Sequence, residues 1–226
     1  MKRISGVLMS LAAACAPALA QAGWYAGFSF GQSNTSRDLV ENRESTVTLG
    51  ADFHTAFDDR DRALKATVGY AIRPWLSIEA SYADLGEHRL VMDFQGGDPP
   101  SPARVTLARE VTGAGADVVL SYPFGPGASV FGRAGAYRVR LKARTEIEGN
   151  VVFNNGDPGE RKRTTVRDET VPKFGAGVQL PIHPDAWVRV EWERYRKIGK
   201  AFEVGGSGTT GEADTDAFLA GFVFRF

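Results

Sequence analysis

The chain has 226 residues, 27 basic and 27 acidic side chains, and a single cysteine. A formal net charge of zero argues against a nucleic-acid-binding protein, which normally carries a basic excess. A mean hydropathy of −0.21 argues against a bundle of membrane helices. Neither value excludes a membrane β-barrel, because such a chain places its apolar side chains at alternate positions and has an average composition.

The first 22 residues are predicted to be a secretory signal peptide rather than part of the fold. Lys2 and Arg3 give a basic start, an apolar stretch follows, and residues 20–22 read Ala-Gln-Ala, which fits a cleavage site. Cleavage after Ala22 leaves residues 23–226 as a single mature domain with 25 basic side chains, 27 acidic side chains and no cysteine. The exported domain therefore cannot depend on disulfides.

A lipoprotein signal ending at Cys15 is the alternative for this leader. Such a signal usually has leucine three residues before the cysteine, and Ala12 stands there. The cleaved signal peptide is therefore the favoured interpretation.

After the signal peptide, alternation of apolar and polar residues organises the chain. Large apolar residues at every second position predict β-strands, whereas an amphipathic helix repeats them every three or four positions. Alternating segments occur at 24–31, 64–72, 76–82, 112–122, 130–141, 174–180, 187–193 and 217–226. We therefore predict an all-β fold of eight antiparallel strands, an even number as closed bacterial barrels require.

The connections between these strands alternate between short and long. The short ones, rich in turn residues, are 72–75, 123–127 and 181–186, and the long polar ones are 32–61, 86–104, 142–169 and 199–214. Short periplasmic turns and long extracellular loops are typical of an up-and-down outer-membrane β-barrel. Glycine, serine, threonine and isolated charges at the alternate positions favour a polar lumen. A soluble, lipocalin-like barrel with apolar side chains inside is the alternative, because alternation does not say which face is inside.

Three histidines and one acidic run are the candidates for catalytic or metal chemistry. His54 and the acidic run 58–61 lie in the predicted first loop, His88 lies just above the third strand, and His183 lies in a turn. A lipid-modifying enzyme needs a histidine at membrane depth beside a nucleophile, and none of the three lies there. Arginines interleave with the carboxylates of the acidic run, which disfavours Ca²⁺ binding. We therefore predict solvated side chains here, with no catalytic, metal or cofactor site.

Several of the alternating segments resemble the OmpA-like family of eight-stranded outer-membrane barrels. Residues 78–86 match the E-x-x-Y-x-x-L-G strand ending of that family, and 174–178 followed by 188–195 resemble its sixth and seventh strands. The final segment 220–226 resembles its terminal strand. The resemblance covers nearly all of 23–226 and implies an outer-membrane location. It does not include the peptidoglycan-binding domain of longer family members, so tethering to the cell wall is not expected.

If leucine, valine and isoleucine face lipid, several charged side chains point into the lumen. They are Glu79, Asp117, Arg133, Lys173, Arg189, Glu191 and Glu193. Counted from their turns, the first three and Glu191 form one layer somewhat below mid-height, and the other three lie just below and above it. Charges in a narrow interior must be paired. The resemblance implies the same, because the family carries a lumenal network of glutamate, arginine and lysine. We expect a salt-bridge network that closes the lumen, and a narrow ion gate is the alternative.

A ladder of basic residues follows in the fifth alternating segment. It consists of Arg138, Arg140, Lys142 and Arg144, at every second position. Because Arg133 has the opposite parity, a regular strand turns the ladder outward, near the top of an apolar band about 25 Å tall. The phosphates of lipopolysaccharide lie at that height. A bulge at Gly132 or Gly135 is the alternative, and it would put Tyr137 into lipid.

The chain ends in an aromatic strand. Phe222, Phe224 and the final Phe226 match the pattern that the resemblance assigns to the barrel-assembly machinery. We expect these three side chains to form the assembly signal.

We expect a small monomeric outer-membrane protein with a structural or surface-interaction role. Its expected partners are outer-membrane lipid, lipopolysaccharide, the barrel-assembly machinery and an unidentified extracellular ligand of the loops. We expect no cofactor, no nucleic acid and no enzymatic activity. A narrow channel for small or hydrophobic solutes is the first alternative, and a lipid A-modifying enzyme is the second.

Overall fold

Nine strand segments make up most of the computed structural model, which describes residues 23–35, 54–58, 60–96, 101–149, 159–199 and 213–226. They are β1 (Gly23–Thr35), β2 (His54–Asp58), β3 (Arg60–Arg73), β4 (Leu76–Gly96), β5 (Ser101–Pro123), β6 (Ser129–Gly149), β7 (Lys162–His183), β8 (Ala186–Ile198) and β9 (Ala213–Arg225). The predicted signal peptide and its alternative at Cys15 lie outside the described residues. Within those residues, no helix has the length and hydropathy to cross a membrane.

The strands form a closed ring. Each strand from β3 to β9 pairs antiparallel with the next strand in the chain, including β4 with β5. The ring closes because β1 pairs with both β3 and β9. The short β2 pairs with β4 at residues 89–93, beyond the stretch 76–84 that pairs with β3, so β2 and β3 occupy one position in the ring. The predicted eight-stranded antiparallel barrel is confirmed.

Large apolar side chains cover the outside of the ring. Trp24, Phe28, Val68, Leu120 and Phe218 are about half exposed, and each lies at the parity assigned to lipid. Their sequence neighbours on the other parity point inward and are buried or half-buried. The apolar exterior is the one expected of a barrel in a membrane, as predicted, and differs from that of a lipocalin-like barrel.

Short turns connect the strands at one end of the barrel, here called the turn end. They lie at 74–75, 124–128 and 184–185, where the sequence predicts them. The middle turn needs a glycine, because Gly127 has a φ of +74°, which a residue with a side chain rarely adopts. The opposite end is called the loop end.

The wall of the barrel is much taller on one side. Strands β4 to β7 have 21 to 23 residues, whereas β1, β3, β8 and β9 have 13 or 14. The prediction of long loops at 86–104 and 142–169 is therefore wrong for most of those residues. These stretches are polar but still alternate, and cross-strand ion pairs such as Arg104–Asp93 (2.6 Å) stabilise their pairing.

A step in the wall separates β7 from the shorter β8. Their pairing runs from His183 only as far as Lys173, opposite Tyr195. The next residue of β7 is Pro172, which has no N–H to donate to a ladder. On β8, Lys197 has a φ of 61°. The bulge between Tyr195 and Ile198 then shifts the register of β8 against β9.

Candidate functional site

Eight charged side chains meet inside the turn half of the barrel, and we call them the charge layer. They are Lys65, Glu79, Asp117, Arg133, Lys173, Arg189, Glu191 and Glu193, each at most 4% exposed. The structure places all seven predicted charges in this cluster. With the addition of Lys65, four positive groups face four negative groups, so the formal charge of the layer is zero.

Arg133 is the centre of the charge layer. Its guanidinium lies 3.0 Å from Glu79 and 2.9 Å from both Glu191 and Glu193, and its distance to Asp117 is 3.7 Å. A guanidinium has five N–H donors in a planar fork, so one arginine can serve carboxylates from several strands. Arg133 thereby joins β4, β5, β6 and β8 across the lumen.

The two lysines extend this network on either side of Arg133. Lys65 on β3 donates to Glu191 at 2.8 Å and to Glu193 at 2.6 Å. Lys173 on β7 lies 2.6 Å from Asp117 and 3.4 Å from Glu193. Each carboxylate of the layer therefore faces at least one cation, which offsets the desolvation cost of burying it.

Lys65 was not among the predicted lumenal charges, although the same parity rule identifies it. Leu64 and Val68 lie on the outer, apolar face of β3, so Lys65 has the inward parity. A single lysine in an alternating strand carries no sign of its partners. Its two partners lie more than 120 residues further along the chain.

Aromatic rings enclose the charge layer at both ends. Towards the turn end, Arg189 donates to Glu79 at 2.8 Å and lies 5.0 Å from the ring centre of Phe131, while the Tyr25 hydroxyl donates to Glu79 at 2.8 Å. Towards the loop end, the Tyr195 hydroxyl donates to Glu193 at 2.7 Å. The charges are thus held between rings whose hydroxyls donate to the carboxylates and whose faces attract the cations.

Glycines on the inner wall make room for these rings. A Cβ atom at Gly69 would lie 2.2 Å from the ring of Tyr25, and one at Gly115 would lie 2.3 Å from the ring of Tyr137. Both distances are impossible contacts, so each ring needs the glycine beside it. The inward glycines noted in the sequence therefore receive side chains from neighbouring strands.

The loop half of the lumen contains a large apolar cluster, so the expected polar lumen is wrong for that part, although Ser33, Thr35 and Thr215 are also buried there. We call its buried cluster the apolar layer. It consists of Ala63, Ala83, Leu85, Val111, Tyr137, Val139, Leu141, Val171, Tyr195, Ile198, Ala217 and Leu219. Inward residues near the turns are mostly glycine, serine and charged residues, whereas those on the loop side of Arg133 are mostly aliphatic and aromatic. The prediction treated the inward face of each strand as uniform.

The basic ladder faces outward, and the bulge alternative is wrong. The register of β6 is unbroken against β5 from Ser129 to Gly149, and against β7 from Ser129 to Glu146. Arg133 and Tyr137 therefore point inward together. The next two residues of that parity, Val139 and Leu141, also lie in the apolar layer rather than in lipid.

Acidic residues on the neighbouring strands pair with three of the four ladder residues. Arg140 lies 2.9 Å and Arg138 3.7 Å from Asp168, and Lys142 lies 3.1 Å from Glu110. The hydrogen bond from Arg140 holds the pKa of the Asp168 carboxyl below its usual range. Arg144, the fourth ladder residue, is also exposed.

A second group of arginines lies on the outer face of β8. Arg194 makes two hydrogen bonds of 2.7 Å to Asp216, which also accepts from the Trp192 indole at 3.0 Å. Arg196 lies 3.5 Å from Asp214. This group was not predicted from the sequence. The alternation Trp192-x-Arg194-x-Arg196 indicates a shared face, but not its position beside the ladder.

The candidates for catalysis and metal binding are dispersed. His88 lies buried on β4, because that strand continues past the predicted loop boundary, so the prediction of a solvated side chain is wrong there. Asp61 lies on β3 and accepts from the Glu87 N–H at 2.6 Å. His183 is exposed at the turn end, and of His54 only the backbone is described. No group of potential metal ligands occurs among the described residues, and Asp59 lies outside them.

The terminal phenylalanines lie on the outside of the last strand. Phe222 and Phe224 are about half exposed, with ring centres 6.5 Å apart, and Phe226 is the most exposed of the three. The Phe226 N–H donates to the Trp24 carbonyl at 3.1 Å, which joins the end of the chain to β1. The aromatic row is therefore continuous with the outer apolar face.

Comparison with known proteins gives one family match and one curated relative. The sequence model of the outer membrane protein beta-barrel domain matches residues 6–226. Outer membrane protein A of Shigella flexneri is 24% identical over 137 residues, which is 61% of this chain and 34% of that protein. The match thus spans about a third of the relative's length.

Similar solved structures include small outer-membrane proteins. One is Ail, the attachment invasion locus protein of Yersinia pestis, in complex with the heparin analogue sucrose octasulfate (15% identity, 91% of this chain and 99% of that one, TM-score 0.48). Others are Neisserial surface protein A (13%, 90% and 97%, TM-score 0.49) and OprG of Pseudomonas aeruginosa (12%, 91% and 96%, TM-score 0.45).

Proposed function

This chain belongs to the outer membrane protein β-barrel domain family, and on that premise we propose that it acts as a closed barrel with a structural and surface-interaction role. The observation that carries the proposal is the filled lumen. A layer of eight paired charges lies below a layer of twelve packed apolar and small residues. The lumen is therefore closed twice, by two different kinds of contact.

A conducting pore needs a continuous file of water. In the charge layer, Arg133 and the two lysines occupy the cross-section and bind carboxylates from several strands. In the apolar layer, Tyr137 and Tyr195 pack edge to face with ring centres 5.0 Å apart. Eight strands leave an interior just wide enough for side chains, so these groups are enough to close it.

The surface role is assigned to the loop end. In the family's orientation the turns face the periplasm and the loops face outward. The tall wall of β4 to β7 then rises beyond the apolar belt, and its outer face carries the ladder, where Arg138 is 75% exposed. This arrangement supports contact with the phosphates of lipopolysaccharide and with a ligand of the loops.

Planar-bilayer recording of the refolded barrel tests the closed lumen. We expect no stepwise ion conductance from the wild-type protein, whose fold is checked by the heat-dependent gel mobility of intact barrels. Reproducible single-channel steps would favour the channel alternative. A change in lipid A mass on expression of the barrel would favour the lipid-modifying enzyme.

The proposal includes the three terminal phenylalanines as the assembly signal. Deletion of Phe226 is expected to lower the yield of inserted barrel while export to the periplasm continues. Substitution of Phe124, an equally apolar residue in a turn, is the matched control. Equal yields of heat-modifiable barrel with and without Phe226 would contradict this assignment.

A further inference from the structure

We propose that the outer face of β6, β7 and β8 near the loop end binds one lipid A molecule. Its phosphates lie at Arg138 and Arg196, and its acyl chains lie against Phe174 and Trp192. The proposal deepens the surface role and rests on the proposed orientation of the barrel. It adds a bounded site and a second strand of cationic residues to the ladder found in the sequence.

Two arginines of this face are held firmly and two are held loosely. Arg140 and Arg194 each make paired hydrogen bonds to one aspartate, at 2.9 and 3.2 Å and at 2.7 and 2.7 Å. Among the described residues, Arg138 and Arg196 make only long ion pairs, of 3.7 and 3.5 Å, and their side chains are 75% and 49% exposed. The loosely held pair retains donors for an outside anion, while the firmly held pair fixes Asp168 and Asp216.

The two loosely held arginines flank the same short stretch of β7. Arg138 on β6 pairs with Thr170. On the other side, Lys173 and Tyr195 form the last pair between β7 and β8, and Arg196 is the next residue of β8. An extension of that register by one residue would set Arg196 opposite Pro172. With strands about 4.8 Å apart and two residues spanning about 6.6 Å, the two arginine Cα atoms then lie roughly 12 Å from each other. Two long side chains at this separation can hold a head that carries two phosphates.

An aromatic platform lies below this stretch, on the side of the turn end. Phe174 follows Pro172 at the same parity, and its ring lies 5.8 Å from the Trp192 ring at an angle of 73°. The Trp192 indole is fixed by its bond to Asp216 and by Arg194, which lies 5.6 Å from the ring centre. Aromatic residues at this level of a membrane protein border the acyl chains.

The order of these groups matches an amphiphile in the outer leaflet. Cations lie towards the loop end and rings towards the turn end, as phosphates and acyl chains do in lipid A. Arginine forms short, charge-assisted bonds to phosphate oxygens, often through two N–H groups. A head with two phosphates gives each arginine a phosphate of its own, whereas a phospholipid with one phosphate makes Arg138 and Arg196 share it. We therefore assign the site to lipid A.

The test compares a double variant with a matched control. Arg138→Ala with Arg196→Ala removes the loosely held arginines. Arg89→Ala with Arg104→Ala removes two exposed, ion-paired arginines from the other side of the tall wall. Each refolded barrel is titrated with diphosphoryl lipid A, monophosphoryl lipid A and phosphatidylglycerol in nanodiscs, at low and high salt.

Wild type and control are expected to prefer diphosphoryl lipid A. The double variant is expected to lose at least about tenfold in affinity at low salt, with a smaller loss at high salt because exposed charges are screened. Equal loss in the control, or no loss in the double variant, would overturn the site. Equal binding of phosphatidylglycerol, or of the monophosphoryl form, would overturn its assignment to lipid A. Conductance is recorded on the same samples, so a failure of the closed lumen is detected separately.

Discussion

The two halves of the lumen are closed by opposite chemistry. Near the turns, Arg133 and seven other buried charges form a neutral network, and above them Val139, Leu141 and their neighbours form an apolar cluster. A buried ion network is specific in geometry, and the loss of one member leaves another charge without its partner. An apolar cluster has no such requirement, and it weakens in proportion to the volume removed. The same barrel therefore has one layer sensitive to charge and one sensitive to size.

The largest expected effect is the removal of the central cation. Arg133→Met keeps much of the side-chain volume but leaves Glu79, Glu191 and Glu193 with less compensation. Breaking a buried ion network by removing one partner costs about 3–5 kcal/mol. Urea unfolding in lipid vesicles measures the loss, and Arg104→Met, on the exposed wall, is the control expected to unfold like wild type. An unchanged midpoint for Arg133→Met would mean that water solvates the charge layer.

The apolar layer is expected to respond to a change in size. Leu141→Ala removes a fully buried side chain, and such substitutions cost about 2–5 kcal/mol. Leu141→Met preserves most of the volume and is the control, with an expected cost below about 1.5 kcal/mol. The same unfolding assay compares them. Equal stability of the alanine and methionine variants would indicate that this layer is loosely packed.

A smaller effect is expected from neutralising one acid. Glu191→Gln keeps the side-chain shape but removes a charge that faces Lys65 and Arg133. We expect reduced stability but no ion conductance, because the apolar layer still closes the lumen. The double variant Arg133→Ala with Tyr195→Ala removes a large side chain from each layer and is expected to conduct in a planar bilayer. Conductance from Glu191→Gln alone would mean that the charge layer is the sole barrier.

The smallest effect is expected on the outside of the barrel, where water screens the ion pairs. Arg140 lowers the pKa of Asp168, so the stabilising contribution of this pair is present above the unfolded pKa of aspartate and is lost as pH falls through the folded value. Arg140→Gln is expected to raise the pKa of Asp168 towards its usual range. Carboxyl-carbon NMR titration measures this change, and a pKa that does not move would mean that the pair is not formed in solution.

Local alternation predicts much of this architecture, because each strand buries one face and exposes the other. It predicts eight strands, the turn positions, the outward parity of the apolar residues and the inward parity of seven charges. The prediction of long loops is wrong for most of 86–104 and 142–169, because the parts of β4 to β7 near the loop end are strands despite their polar sequence. Local alternation also missed Lys65, because one basic residue in an alternating segment has no local mark of its partners.

The sequence alone determined which side chains share one face of each strand, since that depends only on the alternation of neighbouring residues. Only the tertiary structure decided which inward residues share a level of the lumen. That depends on the tilt and register of strands far apart in the chain. Lys65 meets Glu191 and Glu193 across the barrel, and β7 lies between the strands that carry Arg138 and Arg196. Closure of the ring brings inward residues from different strands together in the charge layer and the apolar layer, and it brings outward arginines together on one cationic face.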